Sequence, residues 1–226
     1  MTRGQIKTTS RKKLGEATAV FFTEDDINQW FTDACIDVVW KSRCKRSRTL
    51  CTTTAMSAVP PQVVRYDLTT LIPNCLRIIS VRIYSNQTLQ WRRLSEKTYD
   101  FLDQAYPQWE SYTAATPLYY VYDRQINNSG EFILFPSAQS DYVGSGYLEV
   151  YNSQYPITLT DDSQTPTDIP TMLQQALIEW IVATGLESRG YQDIADNHWI
   201  KYEQKIQSYE AQTNLEEDEE ICMHAE

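Results

Sequence analysis

The fold is decided by the stretch in which the hydrophobic pattern changes from strand to helix, FILFPSAQSDYVGSGYLEVYNSQYPITLTDDSQTPTDIPTMLQQALIEWIVATGLESRG (residues 132–190). Its first part contains two short apolar and aromatic runs, Phe132 to Phe135 and Tyr147 to Tyr151, which are typical of strands. An acidic, proline-containing loop follows, and from Asp168 the apolar residues recur at helical spacing. Pro170 suits the first turn of that helix and Gly190 suits its end. The stretch therefore predicts strands that lead into a helix.

A second helix is predicted directly after Gly190, from Tyr191 to Tyr209. Its apolar positions are separated alternately by four and three residues, which is the spacing of a coiled-coil seam. Those positions are Ala195, Trp199, Tyr202, Ile206 and Tyr209. The two helices are therefore expected to pack on each other as a helical hairpin.

Another amphipathic helix is predicted near the N-terminus. Thr23 and Asp26 make a capping-box pattern, and the acidic first turn suits the helix dipole. The apolar stripe that follows comprises Ile27, Trp30, Phe31, Ala34, Cys35 and Val38.

The centre of the chain has the two-residue period of strands. After a Ser/Thr-rich connector that ends at Pro60-Pro61, residues 79–83 and 89–91 alternate between apolar and polar and predict a β-hairpin. Ser95 is expected to cap a short helix that ends near Ala105, and Leu118 to Tyr122 is a further strand candidate. The centre is therefore expected to be antiparallel β.

Together these elements predict an α+β fold: a helical bundle, made of the N-terminal helix and the C-terminal helical hairpin, with a central antiparallel β-rich region. Residues 1–22 are expected to form a basic arm that orders only against a partner. Residues 23–214 form the main domain. Residues 215–226 form an acidic tail with little prospect of folding alone.

Composition limits the possible functions. The net charge is -10 and the isoelectric point about 4.7, which argues against a protein whose main task is to grip nucleic acid. The charge is uneven, because residues 1–48 hold 10 basic and 6 acidic side chains and residues 149–226 hold 3 basic and 16 acidic ones. No apolar run has the length of a membrane span or signal peptide, so a reducing compartment is expected. The five cysteines form no CxxC pair, and free buried thiols are favoured over metal ligands.

No motif for catalysis or cofactor binding stands out. The seven glycines form no phosphate-binding loop, and Gly144-Ser145-Gly146 suits a β-turn better. His198 and His224 are the two histidines, and neither is an obvious base or metal ligand. Asp161, Asp162 and Asp168 share a loop whose spacing fits no calcium loop. We therefore expect no catalytic, cofactor-binding or metal-binding residues, although carboxylates that meet only in space leave an unrecognised enzyme open.

Two charged segments are candidate protein interfaces. The basic one consists of Lys41, Arg43, Lys45, Arg46 and Arg48, and the acidic one of Glu216, Glu217, Asp218, Glu219 and Glu220. The basic run has three interpretations: it stabilises the end of the preceding helix through the dipole, it contacts an acidic protein partner, or it binds nucleic-acid phosphate.

The order of these elements resembles the head-to-tail adaptor, or connector, proteins of tailed bacteriophages. The segment quoted above carries most of the resemblance, and TEDDINQWFTDACIDVVWKSR (residues 23–43) and VRYDLTTLIPNCLRIISVRI (residues 64–83) are similar too. The likeness covers residues 23–209 and consists of hydrophobic positions and the residues that separate elements.

The resemblance implies a structural virion protein, without enzymatic activity or cofactor, at the head-to-tail connector. It implies a ring, usually dodecameric, that lies beneath the portal, joins the capsid to the tail and encloses the DNA channel. The implied partners are the portal protein, tail or nozzle proteins and copies of the chain itself, with genomic DNA in passage, no membrane, and assembly in the host cytoplasm. The alternative is another phage structural or nucleic-acid-binding module without catalysis.

Overall fold

The chain divides into two compact units in a computed structural model. The structure describes residues 1–16, 21–54, 64–112, 116–124, 130–138 and 142–223, with side chains described up to residue 213. Unit 1 comprises Met1–Lys45 and Tyr155–Glu226, and unit 2 comprises Arg46–Gln154. The connector at Pro60-Pro61 lies outside the described residues. This division into two units does not test the predicted boundaries of the arm, the main domain and the tail, which stay a prediction.

The described residues of unit 1 form four helices. They are α1 (Arg3–Lys13), α2 (Glu24–Ser42), α5 (Thr171–Ser188) and α6 (Gln192–Met223). The capping box predicted for α2 is confirmed, because the Thr23 hydroxyl accepts from the Asp26 amide and the Asp26 carboxylate accepts from the Thr23 amide. The hairpin of α5 and α6 is also confirmed. Its turn is a Schellman motif in which the Gly190 amide donates to Glu187 and the Tyr191 amide to Leu186, with Gly190 at φ 79°.

In unit 2 the described residues form a seven-stranded curled sheet and two short α-helices, α3 (Leu68–Leu71) and α4 (Tyr99–Ala105). The strands are β1 (Arg46–Thr53), β2 (Arg65–Asp67), β3 (Cys75–Ser85), β4 (Gln90–Glu96), β5 (Tyr119–Asp123), β6 (Glu131–Phe135) and β7 (Gly144–Gln154). Their order across the sheet is β1-β7-β3-β4-β5-β6-β2. All neighbours are antiparallel except β4 and β5, which are parallel. A core of buried residues, including Val81, Phe132 and Val150, lies on one side of this sheet.

The predicted fold class is wrong. The β region is not a minor centre within a helical bundle, since it forms a unit with its own core. Periodic apolar stripes made the helices conspicuous, whereas the edge strands β1 and β2 are mostly polar and largely exposed. The result is a mixed α/β protein in which a seven-stranded sheet and a group of helices are of comparable size.

Several local predictions also change. The predicted hairpin forms as β3 and β4, but an irregularity in register between Ile78 and Ser80 places Ile78, rather than Ile79, in the core. The short helix is capped by Thr98 instead of Ser95. Residues 3–13, expected to be disordered without a partner, form α1. The backbone of α6 extends to Met223 and so continues through most of the predicted acidic tail, residues 215–226.

Candidate interaction surfaces

A row of buried cations explains why α1 is ordered within unit 1. Arg3, Lys7 and Arg11 follow one another at four-residue spacing on one helix face, and their side chains are at most 10% exposed. Charged side chains are rarely buried unless they are paired. The face therefore requires carboxylate partners, and the rest of unit 1 supplies them.

The partners of this row come from distant parts of the sequence. Asp162 accepts from Arg3 at 2.8 Å and lies 3.1 Å from the Lys7 ammonium. Glu24 pairs with Lys7 and with Arg11, each at 3.0 Å. The hydrogen bond from Lys7 is the main reason that the pKa of Glu24 lies below its ordinary value. The network anchors α1 beside the start of α2 and the loop before α5.

A buried carboxylate, Glu179 of α5, joins α1 to α6. It accepts from Lys13 and lies against His198 Nδ1, both at 2.6 Å. Burial opposes its ionisation, but the hydrogen bonds to Lys13 and His198 outweigh burial and hold the pKa of Glu179 below its ordinary value. His198 therefore has a structural partner inside unit 1.

The structure distributes the predicted basic run over both units. Lys41 lies in the last turn of α2, where it pairs with Glu203 at 2.6 Å and with Asp37 at 3.6 Å. Arg43 caps that helix in a left-handed conformation, with φ 53°. Lys45 donates to Asp168 at 2.8 Å and to the Tyr155 carbonyl at 2.9 Å. These three residues belong to unit 1, and the contacts of Lys41 and Lys45 fix its local structure.

The remaining two members of the run begin strand β1 of unit 2. Arg46 is exposed at the start of the strand, and Arg48 pairs with Glu149 of β7. Glu149 also pairs with Arg82 of β3, so one carboxylate lies between two guanidinium groups. Its side chain is 0% exposed. Burial again opposes ionisation, and hydrogen bonds to Arg48 and Arg82 keep the pKa of Glu149 low.

The predicted run is therefore not one surface. The interpretation as a helix-dipole feature fits Lys41, which lies in the last turn of α2. The acidic interface residues from Glu216 to Glu220 lie on the backbone of α6, beyond the described side chains. The proposed interface role of the ten residues stays a prediction, because none of their contacts within the chain tests it.

Among the described residues no group of His, Cys, Asp or Glu has the arrangement of a metal site. Cys35, Cys44, Cys51 and Cys75 are free thiols, and burial raises the pKa of Cys35 to about 12 and of Cys51 and Cys75 to about 11. Such thiols react slowly, because the thiolate is the reactive form. None of the described helices is long and apolar enough to cross a membrane.

Sequence reasoning missed two features. The first is the buried cation row of α1, for which the signals were the four-residue spacing and the Thr2-to-Gln5 capping box. The second is the group around Glu149, for which no local signal exists because Arg48, Arg82 and Glu149 come from three strands. The charged residues described above thus form ion pairs within each unit.

Comparison with known protein families identifies the family to which the chain belongs. The model of the SU10 adaptor protein family matches residues 1–219, and the chain belongs to that family. This confirms the resemblance to phage head-to-tail adaptors and makes the chain a structural virion protein that associates with portal and tail components. A structural adaptor family is consistent with a role other than catalysis. No curated protein matches the chain.

Proposed function

We propose that the chain forms a ring beneath the portal, of the portal's symmetry and usually dodecameric, that joins the capsid to tail or nozzle proteins and encloses the DNA channel. The match of the family model to residues 1–219 is the observation that carries the proposal. Copies add to the portal in the host cytoplasm. We expect the purified chain to be mainly monomeric until portal is added.

The division of charge between the units supports this role. Unit 1 contains 11 basic and 21 acidic residues, so it has the entire net charge of -10, whereas unit 2 contains 9 of each kind. An anionic wall repels phosphate and lets DNA slide past without sticking. A ring that turns unit 1 toward the channel would have this property.

The basic run and the acidic segment are proposed to contact the portal or a neighbouring copy. Lys45 is a poor position for testing this, because its loss would leave the partly buried Asp168 without its ion pair. The variant Arg43→Glu/Arg46→Glu leaves the pair of Lys45 and Asp168 intact. Lys12→Glu/Arg92→Glu makes the same change in charge at two exposed cations outside the run and serves as the control.

Electron cryomicroscopy of the purified portal mixed with the chain tests the proposal. We expect a closed ring coaxial with the portal, weaker docking of the Arg43→Glu/Arg46→Glu variant at low salt, and normal docking of the control. Failure of the wild type to dock, or docking as scattered single copies, would rule out the ring. The wild type could instead bind duplex DNA in a salt-sensitive way. If the Arg43→Glu/Arg46→Glu variant lost that binding but still docked on the portal, the basic run would be a phosphate-binding patch.

A further inference from the structure

One face of the sheet in unit 2 has the composition of a protein interface. Directly opposite residues in neighbouring strands project to the same side of a sheet. The register pairs Arg48 with Tyr151, Leu50 with Glu149, Arg82 with Glu149 and Arg93, and Tyr84 with Trp91. We call this the outer sheet face, made of Arg48, Leu50, Arg82, Tyr84, Trp91, Arg93, Glu149 and Tyr151.

The outer sheet face exposes large apolar and aromatic side chains. Leu50 is 60% exposed, Trp91 38% and Tyr151 37%, although Val81 and Val150 on the opposite side of the same sheet are fully buried. Tyr84 holds Trp91 at a ring distance of 5.4 Å, and the Arg82 guanidinium lies 5.7 Å from the Trp91 ring. Tryptophan, tyrosine and arginine are the residues most enriched at interface hot spots. Their contacts already fix the side chains before any partner binds.

The same face has surplus positive charge. Arg48 and Arg82 share one carboxylate, Glu149, and Arg93 is a direct cross-strand neighbour of Arg82 with like charge. Like charges placed opposite each other destabilise a strand pair, and a carboxylate that docks between them removes the repulsion. An acidic partner with apolar side chains would therefore complement this face in both respects.

The first turns of α6 present that combination. Between Gln192 and Ile200 the exposed residues include Asp193 and Asp196, together with Ile194 at 52% and Ile200 at 55% exposure. The buried residues of the same helix, Ala195 and Tyr202, lie on its other side. We call Asp193, Ile194, Asp196 and Ile200 the α6 outer arc.

We propose that the outer sheet face of one copy binds the α6 outer arc of a second copy, and that this contact joins neighbours in the ring. The inference rests on the proposed ring function and names the two surfaces that build it. Because the surfaces differ, the contact is heterologous and repeats from copy to copy until a ring closes. Two sheet faces would instead bring arginines together, and two α6 arcs would bring carboxylates together.

Two double variants test the two surfaces separately. The sheet variant is Leu50→Glu/Arg93→Glu, and the helix variant is Asp193→Lys/Asp196→Lys. Arg48 and Arg82 are left unchanged, because removal of either would weaken the pairing of the buried Glu149. Arg92→Glu is the control for the sheet variant, since Arg92 is opposite Ile83 and so belongs to the other side of β4. Trp91→Ala provides a milder second sheet variant should the double variant lose its native circular dichroism.

The assay is mass photometry of the full chain with the portal, together with sedimentation of the chain alone over a concentration series. We expect each double variant to weaken contact between copies roughly tenfold or more, so that portals hold incomplete sets of copies, while Arg92→Glu behaves as the wild type. A mixture of the two double variants retains one intact sheet face and one intact arc. It should therefore form pairs through the intact contact, and these pairs should extend only through the weaker charge-swapped contact. A variant with all four substitutions, which has only the charge-swapped contact, should recover part of the wild-type association.

The outcomes separate this inference from the proposed function. Complete rings from both double variants would overturn the inference and leave the ring function standing. Failure of the wild type to form any ring would overturn both. Salt-sensitive binding of single- or double-stranded DNA that the sheet variant loses, with ring formation intact, would make the outer sheet face a nucleic-acid surface instead of a contact between copies.

Discussion

Gly185→Ala tests whether the end of α1 packs on α5, as the structure shows. Gly185 lies in the interior of α5, where a glycine normally destabilises a helix by about 0.5–1 kcal/mol relative to alanine. A methyl group at this position would meet Leu14 Cδ2 at 2.8 Å and Trp30 at 3.2 Å. The sign of the change in stability therefore depends on Leu14 being where the structure places it.

The magnitude follows from two opposed effects. Overpacking of a filled site costs about 1–3 kcal/mol, which exceeds the gain in helix propensity and leaves a net loss of roughly 1 kcal/mol. Leu14→Ala alone should cost about 2–5 kcal/mol, because Leu14 is 4% exposed. In the Leu14→Ala background the methyl group has space, so Gly185→Ala should stabilise by about 0.5–1 kcal/mol.

Urea unfolding of the four proteins, followed by tryptophan fluorescence and circular dichroism, measures this double-mutant cycle. Coincidence of the two signals establishes that one transition is being compared. An equal stabilisation by Gly185→Ala in both backgrounds would show that Leu14 does not contact α5 and that residues 1–14 behave as the arm expected from sequence. Loss of stability in both backgrounds by the same amount would place the clash on Trp30 alone.

Three further outcomes follow from buried groups. The pKa of Glu149 is lower in the folded protein than its ordinary value of 4.5, so the stability that its ionisation gives is present above about pH 4.5 and is lost as the pH falls through the folded value. Glu149→Gln should therefore flatten the acid limb of the curve of stability against pH, as measured by urea unfolding. Trp180→Ala should cost about 2 kcal/mol of stability in thermal or urea unfolding, less than for a fully buried aromatic, because Trp180 is only partly buried. The Cys35 and Cys51 thiols should resist alkylation at pH 8 in the folded protein and react promptly in denaturant, as mass spectrometry would show, because their pKa values are about 12 and about 11.

The helices of unit 1 that bury an apolar stripe were predictable from sequence. The stripe of α2 and the seam of α6 each repeat over several turns, and Thr23 and Gly190 mark ends whose hydrogen bonds are local. Local hydrogen bonds of this kind depend on neighbours in sequence. They can therefore be inferred without knowledge of the tertiary structure.

Helix α1 and strand β1 were not predictable in the same way. The buried side of α1 contains Arg3 and Lys7, whose partner Asp162 is more than 150 residues away in sequence. In β1 the outward positions include Leu50 and the arginines, so the strand has no clear alternation of apolar and polar residues. Many stabilising contacts of both elements come from distant residues, which local patterns do not identify. The capping box of α1 is a local signal of the helix but not of its buried ion pairs.

The basic run was conspicuous in sequence, but the ion pairs that its members form also depend on residues distant in sequence. Each described partner of Lys45 and Arg48 lies more than 100 residues away. A count of charges along the chain treats these cations as one patch, whereas the fold pairs them individually. The interface assignment therefore needed the structure to show which cations have a structural role.

The paired cations also change how neighbouring copies can attract each other. The uneven charge along the sequence would by itself favour a contact between the basic N-terminal end of one copy and the acidic C-terminal end of the next. Arg3, Lys7, Arg11 and Lys13 instead pair with carboxylates of their own unit, so these charges are already neutralised within the copy. Unit 1 is left with a surplus of carboxylates, and an attractive contact must draw its cations from elsewhere. The outer sheet face has three arginines and one buried carboxylate, which pairs with two of them, and is such a source in unit 2. An exposed pair contributes little by itself, but a set of charges around an apolar centre sets both orientation and partner choice. This reasoning favours a head-to-tail contact between unlike units over a contact between chain ends.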